Sequence, residues 1–302
     1  MAGLLGKQSV DLSLTVLEIV APVFILAALG FGWVKFGFEY RIQFVTRLAM
    51  TLAVPCLIFT ALMKTDLEKS TLSTFLLACL AGYAVIAVLG LALVRITGLD
   101  QRTYLAPLIF GNTGNLGIPL ALFAFGEAGL GYAVVVLAVT SVLSFTIGIY
   151  LVAGKGSGGK ALKEPMVWAT LLGGLFLWQD WHTPTFLTNA LDLIGQMAIP
   201  LMLITLGVAV ARLTPGKVSR AVLLSLVKLL ICVAVGWGIG LLFGLDQVAF
   251  GVLVLQLATP VAVTSYLLAE KFNADSEAVA GMVVVSTLIS VVALPLLLAL
   301  LL

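Results

Sequence analysis

The sequence predicts an all-α integral membrane protein with ten transmembrane helices in two inverted five-helix repeats. Three observations predict it: the composition, a count of apolar runs, and an internal repeat that carries two matched interruptions. Of 302 residues, 62% are hydrophobic and 10% charged, against about 45–50% and about 25% in soluble domains. The mean hydropathy is +1.20. This balance excludes a soluble enzyme, a disordered chain and a nucleic-acid-binding protein. The net charge of +2 is small, so the placement of the charges carries more information than their sum. Cys56, Cys79 and Cys232 lie inside apolar runs. They are too few and too scattered for a disulfide framework or a metal site.

A helix needs about 20 apolar residues to cross a bilayer. The candidate spans are Leu12–Val34, Phe44–Met63, Leu72–Val94, Thr103–Phe125, Tyr132–Val152, Met166–Trp178, Phe186–Val210, Ala221–Phe243, Val248–Ala269 and Ala278–Leu301. The first run is long, lacks a small-residue cleavage site and precedes basic residues, so it reads as a span and not as a signal peptide. The sixth is short, and Asp180, Trp181 and His182 mark its end at an interface. The connections are brief and leave no room for a separate soluble domain.

Basic residues set the expected orientation. Twelve of the sixteen Lys and Arg residues lie on the side of the odd-numbered connections. The other side holds Lys7, Lys64 and Lys69, and Lys228 falls within span eight. Because Lys and Arg in short loops favour the cytoplasm, both termini are expected outside it.

The repeat comes from two alignments at nearly one offset. Gly98-Leu-Asp-Gln101 follows span three, and Gly244-Leu-Asp-Gln247 follows span eight, 146 residues later. Thr51 to Thr60 in span two aligns with Gln196 to Thr205 in span seven, 145 residues later, with Ala, Pro and Thr coinciding. The basic, glycine-rich loop from Gly154 divides the chain into a first repeat (1–153), a cytoplasmic linker (154–165) and a second repeat (166–302). Five is odd, so the second repeat must lie upside down relative to the first. That architecture is common in secondary transporters, whose sites lie near the midplane where the halves meet.

Spans four and nine carry the chemistry. Phe110-Gly-Asn-Thr-Gly-Asn-Leu-Gly-Ile-Pro119 holds three glycines, two asparagines and a proline, which is poor helix material. Gln256-Leu-Ala-Thr-Pro260 through Thr264 and Ser265 is the matching interruption in the other half. Irregular backbone at membrane depth is tolerated only where it is buried in protein or lines a watery cavity. Simple proline kinks would not account for Asn112, Asn115 and Gln256 at that depth. An unwound segment frees N–H groups at the start of the following half-helix, where the dipole also favours negative charge. A carboxylate could be held there without a buried arginine, or the opened carbonyls could coordinate a cation.

The stretch Gly111-Asn-Thr-Gly-Asn-Leu-Gly-Ile-Pro-Leu120 resembles the fourth-helix signature of the auxin efflux carrier family, which includes the plant PIN-formed carriers and many bacterial permeases. Gln256 to Pro260 and Leu267 to Asn273 resemble the family's ninth helix and its exit, and the short middle loop is similar to the bacterial branch. The resemblance implies a crossover of broken helices four and nine, a scaffold and a transporter domain, and elevator-type alternating access for a small organic anion, auxin-like or malonate/malate-like. It implies the bacterial inner membrane as location and a homodimer through the scaffold helices. Carried over by position, the crossover prolines are Pro119 or its neighbourhood and Pro260, and Asn112 and Asn115 face the substrate. The chain departs from the plant pattern at Gly111 and Ser265, where the plant carriers have proline.

The expected substrate site is Asn112, Thr113, Asn115, Gly117, Pro119, Gln256, Thr259, Pro260 and Thr264. Ionisable residues within spans are costly and are functional candidates by default. They are Glu18 and Asp192, each near an outer end, and Lys228, about two turns from the cytoplasmic end of span eight, where its side chain could snorkel. Any of the three could serve coupling. No cofactor or metal is expected, and the motifs of intramembrane hydrolases are missing from the sequence. A sodium-coupled symporter of the bile-acid type is the alternative, with Asn115, Gln256, Thr113, Thr259 and opened carbonyls as neutral ligands.

Overall fold

Long apolar runs punctuated by Gly, Pro and capping Asp should fold into helices that stop where those residues stop them. The computed structural model describes residues 18, 21–64, 68–153, 165–212 and 218–302, and among them the extended elements are all helices. The helices are α1 (Ala21–Lys35), α2 (Ile42–Lys64), α3 (Lys69–Thr97), α4 (Gln101–Ile109), α5 (113–125), α6 (127–153), α7 (Pro165–Gln179), α8 (Thr185–Arg212), α9 (Val218–Leu242), α10 (Gln247–Leu257), α11 (Val263–Lys271) and α12 (Ser276–Leu301). Six helical runs are long and apolar enough to cross a membrane: Ile42–Lys64, Ser70–Thr97, Thr113–Ala153, Thr185–Arg212, Ser219–Leu242 and Ser276–Leu301. The expected linker at 154–165, apart from Pro165, and the start of span one at 12–17 lie outside the described residues.

The helix at 113–153 would be about 60 Å long at 1.5 Å per residue, twice the hydrocarbon core. Gly126 resolves this excess. Its φ of 64° and ψ of −154° lie in a region essentially confined to glycine, and the chain turns there from α5 into α6. Asn273, also at positive φ (53°), occupies the same place between α11 and α12.

The repeated Gly-Leu-Asp-Gln motif does the same local work twice. Gly98 and Gly244 adopt left-handed conformations at the ends of α3 and α9, a common way to close a helix. Asp100 then caps α4 by accepting from the Thr103 N–H, and Asp246 caps α10 by accepting from the Val248 and Ala249 N–H groups. The prolines of the second alignment also act alike. Pro55 follows a π-helical turn at Ala49–Ala53 in α2, and Pro200 follows a turn at Met197 in α8. A proline lacks the N–H that would complete the preceding turn, so the turn opens.

Two packing groups result. In one, α2 packs on α7 and α8, and α1 approaches α8 so closely that a Cβ on Gly207 would strike the Ala27 carbonyl. In the other, α3, α4, α5, α6, α9, α10, α11 and α12 pack among themselves. Two sets of polar contacts tie helix ends together. In one, Arg102 donates to the carbonyls of Val152 and Phe272 at 2.9 Å, and the Asp275 N–H donates to Thr103 Oγ1. Arg212 donates to the Tyr40 carbonyl at the foot of α8. The other set joins Thr183 to Met63 and Tyr132 to Asp246.

Candidate functional site

The two interruptions meet. Gly111 and Val261 form an isolated antiparallel bridge, in which the Asn112 N–H donates to the Pro260 carbonyl at 2.7 Å and the Ala262 N–H donates to the Phe110 carbonyl at 3.5 Å. Backbone groups left orphaned by the breaks therefore satisfy one another. Further anchors hold the crossing. The Val261 N–H donates to Ser286 Oγ of α12, and Thr259 Oγ1 donates to the Gln256 carbonyl at 2.6 Å.

The crossing peptide of the first break is Phe110-Gly111-Asn112; of the expected place, Pro119 or its neighbourhood, it takes the neighbourhood and not the proline itself. Pro119 sits at the start of the α-helical part of α5, where its missing N–H is preceded by a π-helical turn at Thr113–Gly117. In that turn the Asn112 carbonyl accepts from Leu116 and Gly117, and Asn112 Oδ1 accepts from the Asn115 N–H at 3.2 Å. Asn112 thus caps α5. Its Nδ2 is buried without a partner.

A cavity of about 120 Å³ adjoins this crossing. Asn112, Thr113, Asn115 and Thr264 line it, so four of the nine expected residues come together there. The amino ends of α5 and α11 both open onto it. Its remaining polar wall comes from Thr140, Ser141 and Ser144 of α6, and Met50, Met166 and Met202 close the opposite side. Thr140 is positioned by a buried hydrogen bond with Tyr83 Oη at 2.6 Å. The lining carries no charged side chain.

The other expected residues lie behind or beside the crossing. Gln256 is fully buried, with its amide flat against Gly117. A Cβ on Gly117 would come within 2.1 Å of Gln256 Oε1. Both side-chain atoms of Gln256 lack a hydrogen-bond partner, a costly state unless a small polar guest satisfies them. Thr259 and Pro260 face a small cleft next to Lys228.

Lys228 does not snorkel. It is 3% exposed, and its Nζ donates to the Thr259 carbonyl at 3.0 Å. The carbonyls opened past the end of α10 form the negative pole of a helix dipole and draw the ammonium inward. Glu18 is exposed and lines neither cavity. Asp192 pairs with Lys64 and, with Glu127 and Gln196, lines a second cavity of about 420 Å³ at the end of α2. Both cavities lie along the seam between the two packing groups, with α2 and α8 on one wall and α6 on the other.

Sequence reasoning missed the α6 hydroxyls, the three methionines, Lys64 and Glu127. The run Thr140-Ser141 with Ser144, inside an otherwise apolar span, was a usable signal. The methionines gave none, because an apolar residue facing a cavity looks like one facing a core.

Relatives place the chain in a group. A family model described as "Membrane transport protein" matches residues 15–164 and 157–298. An "Uncharacterized transporter" of Methanothermobacter thermautotrophicus is 30% identical over 295 residues, covering 92% of this chain and 96% of its own length. A protein of Rhizobium meliloti named "Putative malonate transporter" is 24% identical over 260 residues, covering 80% and 81%. With its apolar helices, the chain is a multi-pass membrane protein, and it belongs to the membrane transport protein family, that of the auxin efflux carriers.

Proposed function

We propose that this protein is a secondary carrier of small organic anions, held at the crossing of spans four and nine. The carrying observation is the antiparallel bridge at Gly111 and Val261 beside a cavity onto which two half-helix amino ends open. Such ends favour an anion without a cationic side chain. Asn115 and Thr264 would orient the bound carboxylate, and the unpartnered Nδ2 of Asn112 would donate to it. A volume of about 120 Å³ falls well below the roughly 300 Å³ at which drug-sized sites begin. This favours a small carboxylate such as malonate over an indole-sized anion, in keeping with the name of the Rhizobium relative.

The same reading includes ten crossings in two inverted repeats, 1–153 and 166–302, in a bacterial inner membrane with both termini outside. Two features support it. Asp100 and Asp246 cap equivalent half-helices. The helix-end contacts also join odd connections to odd ones, as Arg102 does, and even to even, as Thr183 and Met63 do. The two packing groups and their shared cavities suit an elevator in which one group slides past the other, with a homodimer formed through α1, α2, α7 and α8.

The test is uptake of labelled malonate and indole-3-acetate into proteoliposomes, with membrane potential, pH and Na⁺ gradients imposed separately. Malonate should accumulate and compete with other short carboxylates. Transport of neutral solutes only would refute the anion site.

A further inference from the structure

Among the described residues, Lys228 is the only charged side chain that is buried. A buried ammonium is costly unless its surroundings compensate it. No described carboxylate pairs with it. Its contacts are the Thr259 carbonyl at 3.0 Å and, on its own helix, Cys232 Sγ at 3.9 Å.

The position is informative. In carriers with broken helices, unwound carbonyls and half-helix carboxyl ends are the groups that coordinate a co-transported cation. Thr259 is such a carbonyl, just beyond the end of α10, and the ammonium already occupies it. The cleft left around it measures about 10 Å³ and is lined by Ser225, Thr259, Pro260, Ser286 and Ser290. That is at the lower limit for one water molecule and too small for a hydrated ion. From Thr259 the chain passes to Pro260, whose carbonyl receives the Asn112 N–H, and Asn112 borders the anion cavity. The positive charge therefore sits on the reverse side of the same crossing.

We propose that Lys228 is a tethered cation standing where a coupled carrier would bind sodium, and that it biases the crossing toward anions of higher charge. This rests on the carrier reading above. The ammonium holds the Thr259–Pro260 strand that orders Asn112, and it contributes a positive potential in an interior where screening is weak.

The experiment compares wild type with K228Q, which keeps a donor for the Thr259 carbonyl without the charge, and K228M, which keeps neither. Uptake of malonate and of a short monocarboxylate is measured in NaCl and in KCl, with folding checked by size-exclusion chromatography. Wild-type uptake should be equal in the two salts. For K228Q, KM for malonate should rise roughly tenfold or more, the scale of losing a charge acting through the interior, and rise less for the monocarboxylate. Equal KM values for K228Q and wild type would overturn the charge role. A merely structural lysine would lower the folded yield without separating the two substrates. Thermal unfolding of the wild type in NaCl and KCl needs no variant, and a sodium-specific rise in Tm would also overturn the proposal. If the wild type takes up no carboxylate, the carrier reading falls and this inference with it.

Discussion

The Asn112 N–H donates to the Pro260 carbonyl at 2.7 Å, joining two segments 148 residues apart at the point where both leave the helical path. The crossing itself is closed by main-chain groups, with Ser286, Thr259 and Lys228 as side-chain anchors around it. The side chains of Asn115 and Thr264 border the cavity without holding the crossing, which makes substitutions there informative.

Asn115→Ala should retain fold and membrane insertion, because the Asn115 contact to Asn112 uses its backbone N–H. Carboxylate uptake should fall at least tenfold, the scale of one lost hydrogen bond to a charged group. Full transport by a well-folded N115A protein would remove this residue from the site.

Asn112→Ala should behave differently. It removes the cap of α5 as well as the unpartnered Nδ2, so it should lower stability by about 1 kcal/mol in addition to weakening uptake. Thermal unfolding in detergent, set beside N115A, separates the two effects.

Gly117→Ala should be strongly destabilising, because its Cβ would lie 2.1 Å from Gln256 Oε1 and overpacking costs about 1–3 kcal/mol. Shortening the neighbour should relieve this. The double variant G117A/Q256A is expected to be more stable than G117A alone, and a double-mutant cycle showing simple additivity would contradict the contact.

Asp100→Ala and Asp246→Ala each remove a helix cap, and each should cost about 1 kcal/mol. Asp246 also accepts from Tyr132 Oη at 3.1 Å, so its loss should be the larger of the two. Paired melting curves check the order.

Lys64 and Asp192 should matter more to transport than to stability. Their side chains are 51% and 23% exposed, and exposed pairs contribute about 1 kcal/mol or less. K64A and D192A should therefore melt close to wild type while altering uptake through the cavity they share with Glu127. The charge-swapped double variant K64D/D192K should recover part of that uptake. Loss of stability well beyond this range would mark the pair as structural.

Much of the fold could be read from residues alone. Gly98 and Asp100, repeated as Gly244 and Asp246, act through local chemistry, because a left-handed glycine and an Asp cap need only their immediate neighbours. An interruption near Phe110–Asn112 was equally visible, as a run of three glycines and two asparagines is poor helix material, although Gly114, Asn115 and Gly117 fall in the π-helical turn that follows it. Whether Lys228 snorkels was not legible, for the opposite reason. Its depth in span eight said where its Cα lies, but whether the side chain reaches outward or inward depends on a carbonyl supplied by another helix.

The sequence by itself determined the membrane character, the helix boundaries and the two interruptions, since hydropathy, capping and backbone preference act within a few residues. Tertiary structure alone decided which groups meet. It brought Asn112 to Pro260, pressed Gln256 against Gly117, aimed Lys228 at Thr259 and joined Lys64 to Asp192 across 128 positions. These pairings follow from the need to satisfy buried backbone and charge where water is excluded, a condition that only the packed helices create.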